Sequence, residues 1–303
     1  MWNTLPMEIV LQILQCAAEA FVYSDRQSAV ALAQTSSLGY DTIKPILYQR
    51  LAITKNNVAK IEAFIGNASL HAYVRALAIG EWAWQPPAEL VANLTGLQSL
   101  SGITDRVYQV LRLLHPSNSA NIKRIQLWDA SSPLDDIPLS VTHVCLYIED
   151  ATTEVTDSGL IPWIEAFPSL THLGIELVAH MDHNCGLAAP HSDDEDESLT
   201  QSFDEERRER AQTMIDEVHL VLASGDSSIE QVAVRVGGWM ADGVPWHALV
   251  TAASHNPDTR IRLWRDQRTM RDYGDDTASS IDDALAGIDI WSESLPVMGI
   301  EDL

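Results

Sequence analysis

A short apolar signature recurs along this chain and restricts its fold more than any other feature. The pattern apolar-x-x-apolar-x-apolar occurs at Val74/Leu77/Ile79, Ile122/Ile125/Leu127, Val141/Val144/Leu146, Leu170/Leu173/Ile175 and Ile229/Val232/Val234. Leu97/Leu100 with Gly102 is a weaker copy, and Ile261/Leu263 a truncated one. The central positions 77, 100, 125, 144, 173, 232 and 261 are separated by 23, 25, 19, 29, 59 and 29 residues. Units of that length cannot bury an apolar face alone and do so by stacking on their neighbours. Helix candidates fall between the copies at 58–65, 87–92, 106–114, 160–166 and 246–253. The long interval holds a further candidate at 203–223, with Met214, Ile215, Val218, Leu222 and Ala223 on its apolar face. Strand–helix alternation predicts a mixed α/β fold with a parallel sheet.

Phe167-Pro168-Ser169-Leu170-Thr171-His172-Leu173 resembles a leucine-rich repeat. The series as a whole, over 54–270, resembles an irregular, degenerate leucine-rich-repeat-like solenoid with a parallel sheet on its concave side. An ordinary α/β domain predicts the same alternation. The repeat spacing and the absence of a glycine fingerprint favour the solenoid.

The first fifty residues follow a different rule. Ile9, Ile13, Cys16, Ala17, Ala20 and Phe21 recur at three- and four-residue steps, which predicts a helix over 5–21. Pro6 suits its first turn, and Glu8 sits where the helix dipole favours an acid. Ser24 or Asp25 can cap a second helix containing Ala29, Val30, Leu32 and Ala33. A third, over 38–44, is expected to end at Pro45. Leu47, Tyr48, Leu51 and Ile53 continue into an extended segment.

Four landmarks in order give residues 4–53 a resemblance to the F-box, in a form frequent in fungal proteins. They are Leu5-Pro6-Met7-Glu8-Ile9-Val10 with Ile13 and Leu14, then Leu32-Ala33-Gln34-Thr35-Ser36-Ser37, then Tyr40, then Pro45-Ile46-Leu47-Tyr48 with Gln49-Arg50-Leu51. The chain departs from the family at Ser37, where a basic residue is usual, and at Gly39. The resemblance implies a three-helix unit over 1–53 that binds a Skp-type adaptor and, through it, a cullin–RING ubiquitin ligase. It assigns adaptor contacts to Leu5, Pro6, Ile9, Val10, Ile13 and Leu14, with Leu32 and Tyr40 in support. The physical reason is that so small a unit leaves apolar residues exposed for a partner to cover. Otherwise these helices merely cap the domain that follows.

Charge bounds the partners. Acids outnumber bases 43 to 19, for a formal charge of -24. Such a field repels nucleic acid and anionic membrane. The charge is concentrated in two segments. Residues 180–203, including the run at 192–198, read as a disordered acidic loop, and 271–303 as an acidic C-terminal tail with partial order. Three widely spaced cysteines encode no disulfide framework. With no basic leader and no membrane-length apolar run, a cytoplasmic or nuclear protein is expected.

The solenoid strands predict a recognition surface, because residues between the apolar ones point to the other face. That face would carry Arg124, Gln126 and Trp128, then His143 and Tyr147, then His172 and Glu176. Gln231 and Arg235 follow, then Arg260, Arg262 and Trp264. Four arginines beside aromatics suit an acidic or phosphorylated segment of a substrate protein. Alternatively, the chain's own acidic loop or tail neutralises them.

Signals for chemistry are weak. His180, Met181, His183, Cys185 and His191 cluster, but without metalloprotease or zinc-finger spacing. Asp275-Asp276 and Asp282-Asp283 read as solvated charge. Gly237-Gly238 and Gly243 lack the residues of a phosphate loop. No serine-hydrolase elbow is present. Asn67 and Asn93 match the glycosylation acceptor pattern without a secretory leader. Neither metal nor cofactor is expected, and no bond chemistry on this chain. The expected role is a non-enzymatic substrate receptor of the ligase, or a solenoid scaffold with no ubiquitin role.

Overall fold

The computed structural model describes residues 5–54, 57–80, 84–128, 137–149, 159–178, 196–224, 228–237, 244–265, 290–293 and 295–296. The fold is mixed α/β with parallel strands. Its described residues fall into two compact units, one up to Ile125 and the other from Gln126 onward.

The first unit opens with three helices, α1 (Met7–Ser24), α2 (Arg26–Ala33) and α3 (Ser37–Leu47). Asp25 caps α2 by accepting the Ser28 N–H at 3.2 Å. Ser36 caps α3 by accepting the Gly39 N–H at 2.9 Å. Pro45 does not end α3, which runs two residues beyond it. Ile46 and Leu47 are buried with Ala18, Ala29, Ala33 and Ile43, so tertiary packing holds the last turn against the lost backbone bond. Gly39 has a reason: a Cβ there would stand 3.1 Å from the hydroxyls of both Thr35 and Ser36.

Strands and helices then alternate. β1 (Arg50–Ile53), α4 (Val58–Ile65), α5 (Ala68–His71), β2 (Ala76–Ile79), α6 (Ala88–Asn93), β3 (Ser99–Gly102), α7 (Thr104–Leu113) and α8 (Pro116–Ser119) follow in order. The sheet starts at Arg50, ahead of the expected boundary after residue 53, because Leu51 is in register with Leu77 and Leu77 with Leu100. β4 (Arg124–Leu127) contains the point in the sequence where the first unit gives way to the second.

The second unit contains β5 (His143–Glu149), α9 (Ile161–Ala166), β6 (His172–Val178), α10 (Asp196–Ala223), β7 (Gln231–Gly237), α11 (Val244–His255) and β8 (Ile261–Arg265). β5 to β8 are parallel, and strands adjacent in sequence are adjacent in the sheet. The acidic-loop expectation fails from Asp196 onward, where α10 has already begun. Its later turns bury Ala211, Met214, Ile215, Val218, Val221 and Leu222, which anchor a helix whose first turns are charged. The C-terminal region adds α12 (Ile290–Glu293) and β9 (Leu295–Pro296), which pairs antiparallel with β8. Those residues of the tail are ordered.

The apolar signature is the core. Each of its positions from Val74 to Leu263 is at most 3% exposed. A main-chain device repeats beside it. The Gln49 carbonyl accepts the N–H groups of Arg75 and Ala76 at 2.8 and 3.1 Å. The Arg75 carbonyl accepts those of Gln98 and Ser99, and the Gln98 carbonyl those of Lys123 and Arg124. In the second unit Thr142 serves Thr171 and His172, and Thr171 serves Glu230 and Gln231. β2, β3, β4, β6 and β7 are thus each tied to the preceding strand where they begin. Side-chain amides add rungs on the connections of the first unit: Asn118 donates to the Ala92 carbonyl and Asn121 to that of Thr95.

Leu173 is 1% exposed and lies in register between Val144 and Val232 of the flanking strands. Leu173→Ala is expected to destabilise the protein by about 2–5 kcal/mol through lost transfer energy and a cavity. A urea unfolding curve measures it.

Candidate functional site

Two surfaces matter, one in each unit. The first is the outer side of the N-terminal helices. At 100° per residue, Leu11, Leu14, Ala18 and Val22 lie along one side of α1, and Ile9, Ile13, Cys16 and Ala20 along the opposite side. The first side faces the small core, where Ala18 is fully buried and Val22 packs beside it. The second side is in solvent: Ile9 and Ile13 are each 41% exposed, and Cys16 is exposed. Leu5, Met7, Phe21, Val30, Leu38 and Tyr40 are also exposed. A globular helix normally carries one apolar stripe, and α1 carries two.

The expected adaptor residues therefore divide. Leu5, Pro6, Ile9, Ile13 and Tyr40 are exposed. Val10 and Leu14 are half-buried. Leu32 packs against the core of the helices.

The second surface is the sheet face of the second unit. Strand register sorts it into cross-strand rows. One row is His143, His172 and Gln231; the next is Cys145, Gly174, Ala233 and Arg262; the third is Tyr147, Glu176, Arg235 and Trp264. In the first row the imidazoles of His143 and His172 stack with centroids 4.2 Å apart. Thr142 and Thr171 hydroxyls sit 2.9 Å from the respective Nδ1 atoms and fix the ring orientations. The Trp291 indole meets both rings edge-on, at 5.0 and 6.1 Å.

In the third row Arg235 donates from Nη1 to Glu176 Oε1 at 3.0 Å and lies 4.3 Å over the Trp264 ring. The two partners are only 5% and 4% exposed. This overturns part of the expected recognition face. Arg235 and Tyr147 are buried within it, and Arg235 is engaged by a cross-strand acid and an indole. Trp128 is also buried, at 6% exposure. Arg124 is exposed, and it belongs to the first unit. His143, His172, Arg262 and Trp264 are half-buried.

Arg260 is off this face. It precedes β8, and its guanidinium grips Asp258 through Nε and Nη2, the latter at 2.7 Å. Nη2 also donates to the Leu222 carbonyl of α10. Asp258 and Arg260 line a shallow pocket with Asp216, His219 and Asn256. Local sequence hid this pairing, because an acid two residues before an arginine looks like ordinary surface charge. The hydrogen bond from Arg260 holds the Asp258 carboxyl below its usual range.

The His180, Met181, His183, Cys185 and His191 cluster lies outside the described residues, as do Trp82, Trp239, Gly238, Gly243, Asp275, Asp276, Asp282 and Asp283. Among the described residues no group of three or more His, Cys, Asp or Glu is placed to hold a metal ion. Among them, too, no helix is long and apolar enough to cross a membrane. No protein-family model matches the chain, and no curated protein matches it at a significant level.

Two outcomes follow from these charges. Glu176→Ala removes the cross-strand acid from the buried Arg235 and is expected to cost about 3–5 kcal/mol, whereas Glu176→Leu with Arg235→Met recovers most of it, as read by thermal melts. The lowered pKa of Asp258 means its pairing stabilises the fold above the ordinary carboxylate range and is lost as pH falls through the folded value. Asp258→Asn is expected to flatten the acid limb of Tm against pH, by less than about 1 kcal/mol for so accessible a pair.

Proposed function

We propose that this chain is the substrate-recognition subunit of a cullin–RING ubiquitin ligase. Its F-box-like helices hold a Skp-type adaptor, and its strand–helix units form an irregular leucine-rich-repeat-like solenoid that holds the substrate protein. The reading makes it non-enzymatic: it acts by proximity and works in the cytoplasm or nucleus.

One observation carries the reading. The three N-terminal helices have their own core, yet α1 keeps Ile9 and Ile13 in solvent on the side opposite Ala18. Helices that only capped the following sheet would turn that stripe inward. Exposing large apolar side chains is unfavourable in water, and a partner that covers them recovers about 25 cal/mol per Å². The solenoid reading is supported by sequential strand order and by the shared carbonyls that tie β2, β3, β4, β6 and β7 to the strands before them.

The test is binding of the purified full chain to a Skp-type adaptor by calorimetry. Saturable binding is expected. Ile9→Asp with Ile13→Asp should abolish it while leaving Tm nearly unchanged, since neither side chain is in the core. A folded wild type that does not bind rejects the ligase role and leaves a solenoid scaffold.

A further inference from the structure

The sheet face of the second unit is occupied by the chain itself, in a manner that marks an exchangeable ligand. Ile290 is buried against Cys145 and Ala233, with Trp264 and Trp291 packed beside them. Gly174 leaves room at this seat: a Cβ there would stand 3.0 Å from Cys145 Sγ and 3.2 Å from Ile290 Cγ2. Trp291 rests on the stacked His143–His172 pair. The Gln231 side chain donates to the Trp291 carbonyl at 3.3 Å. Beyond it, Leu295 and Pro296 pair with Leu263 and Arg262 along β8. An apolar anchor, an aromatic anchor, a side-chain hook to the backbone and a strand edge are the parts of a peptide-binding groove.

The face beneath is not built as a permanent core. The helix-covered side of the same strands presents Val, Leu and Ile. This side presents the polar His143, His172, Gln231, Glu176, Arg235 and Arg262 alongside Cys145, Ala233, Tyr147 and Trp264. A buried ion pair such as Glu176–Arg235 adds little stability over apolar packing. The covering segment is short, with four residues of helix and two of strand, and Trp291 remains half-exposed.

We infer that this face is a docking site for a partner's short segment that carries an aliphatic–tryptophan pair in a helical turn followed by a strand, and that residues 290–293 and 295–296 are its intramolecular stand-in. The inference rests on the second unit being the recognition half of the receptor and is independent of the adaptor contact. It replaces an acidic ligand by an aromatic one, because the arginine best placed on the face, Arg235, is already paired.

The probe is a fluorescein-labelled peptide of residues 288–298, titrated into the full chain and read by anisotropy. A tethered competitor acts at an effective concentration near millimolar, so wild type should bind weakly. Trp291→Ala should bind at least about tenfold more tightly, and Gln231→Ala added to it should weaken that binding. A peptide with the tryptophan replaced by alanine should not bind. Equal binding of both peptides, or no gain in folded Trp291→Ala, overturns the inference. A measurement without variants covers a Trp291→Ala protein that fails to fold. Hydrogen exchange of wild-type residues 290–296 should speed up with millimolar isotopically labelled peptide, and unchanged protection overturns the proposal. Adaptor binding is measured on the same samples. Its loss with peptide exchange intact rejects only the ligase reading; exchange failing with adaptor binding intact rejects only this one.

Discussion

Within each unit, strand placement depends on a shared main-chain oxygen, seen at Gln49, Arg75 and Gln98 in the first and at Thr142 and Thr171 in the second. The carbonyl just ahead of a strand accepts two successive N–H groups of the next chain segment, as Gln49 does from Arg75 and Ala76. That bond pair fixes where each strand starts relative to the last. A slip of one residue would turn every side chain to the wrong face, so the start point decides whether the apolar signature is inside. With the start fixed, Leu51, Leu77 and Leu100 fall in one row, and Leu173 meets Val144 and Val232. The hydrophobic effect then supplies the driving force, and the geometry supplies uniqueness.

The N-terminal helices obey a different economy. Their core rests on alanines and on the end of α3, with Ala18, Ala29 and Ala33 allowing close helix approach. Small core residues leave the larger ones, Ile9, Ile13 and Phe21, outside. Partial burial of Leu14 and Leu32 shows that the same helices cannot commit every apolar residue to one side. The assignment of some residues to a core and others to a surface is thus made by helix packing, and it divides a stripe that the period alone leaves whole.

The alternation of strands and helices was legible in the sequence because burial on one strand face imposes period two, and the connecting helices impose their own length. All the signature positions lie inside for that reason. Non-local partners were not legible. Arg235 looked like a surface residue because its acid, Glu176, is fifty-nine positions away and its indole, Trp264, twenty-nine. Arg260 looked like part of the sheet face, but it precedes the strand, where Asp258 and the end of α10 capture it. Pro45 suggested a helix end, and burial of Ile46 and Leu47 carried the helix past it. The charge run around Asp196 suggested a loop, and the apolar side of α10 extended the helix back into it. Trp291 stood in a polar tail, with nothing local to reveal the histidine pair beneath it.

The corner bonds also govern how such a chain can change in length. β6 and β7 pair over seven residues in unbroken register, as β5 and β6 do, although 59 residues separate the first pair's centres and 29 the second's. Doubling a connection adds only about 0.6 kcal/mol of closure entropy, and the pinned strand start absorbs none of the extra chain. Insertions are therefore cheap on the helical side and ruinous within a strand. The architecture can accept a long helix such as α10 in one strand-to-strand connection without altering another, and new sequence can accumulate there while the pleated surface keeps its spacing.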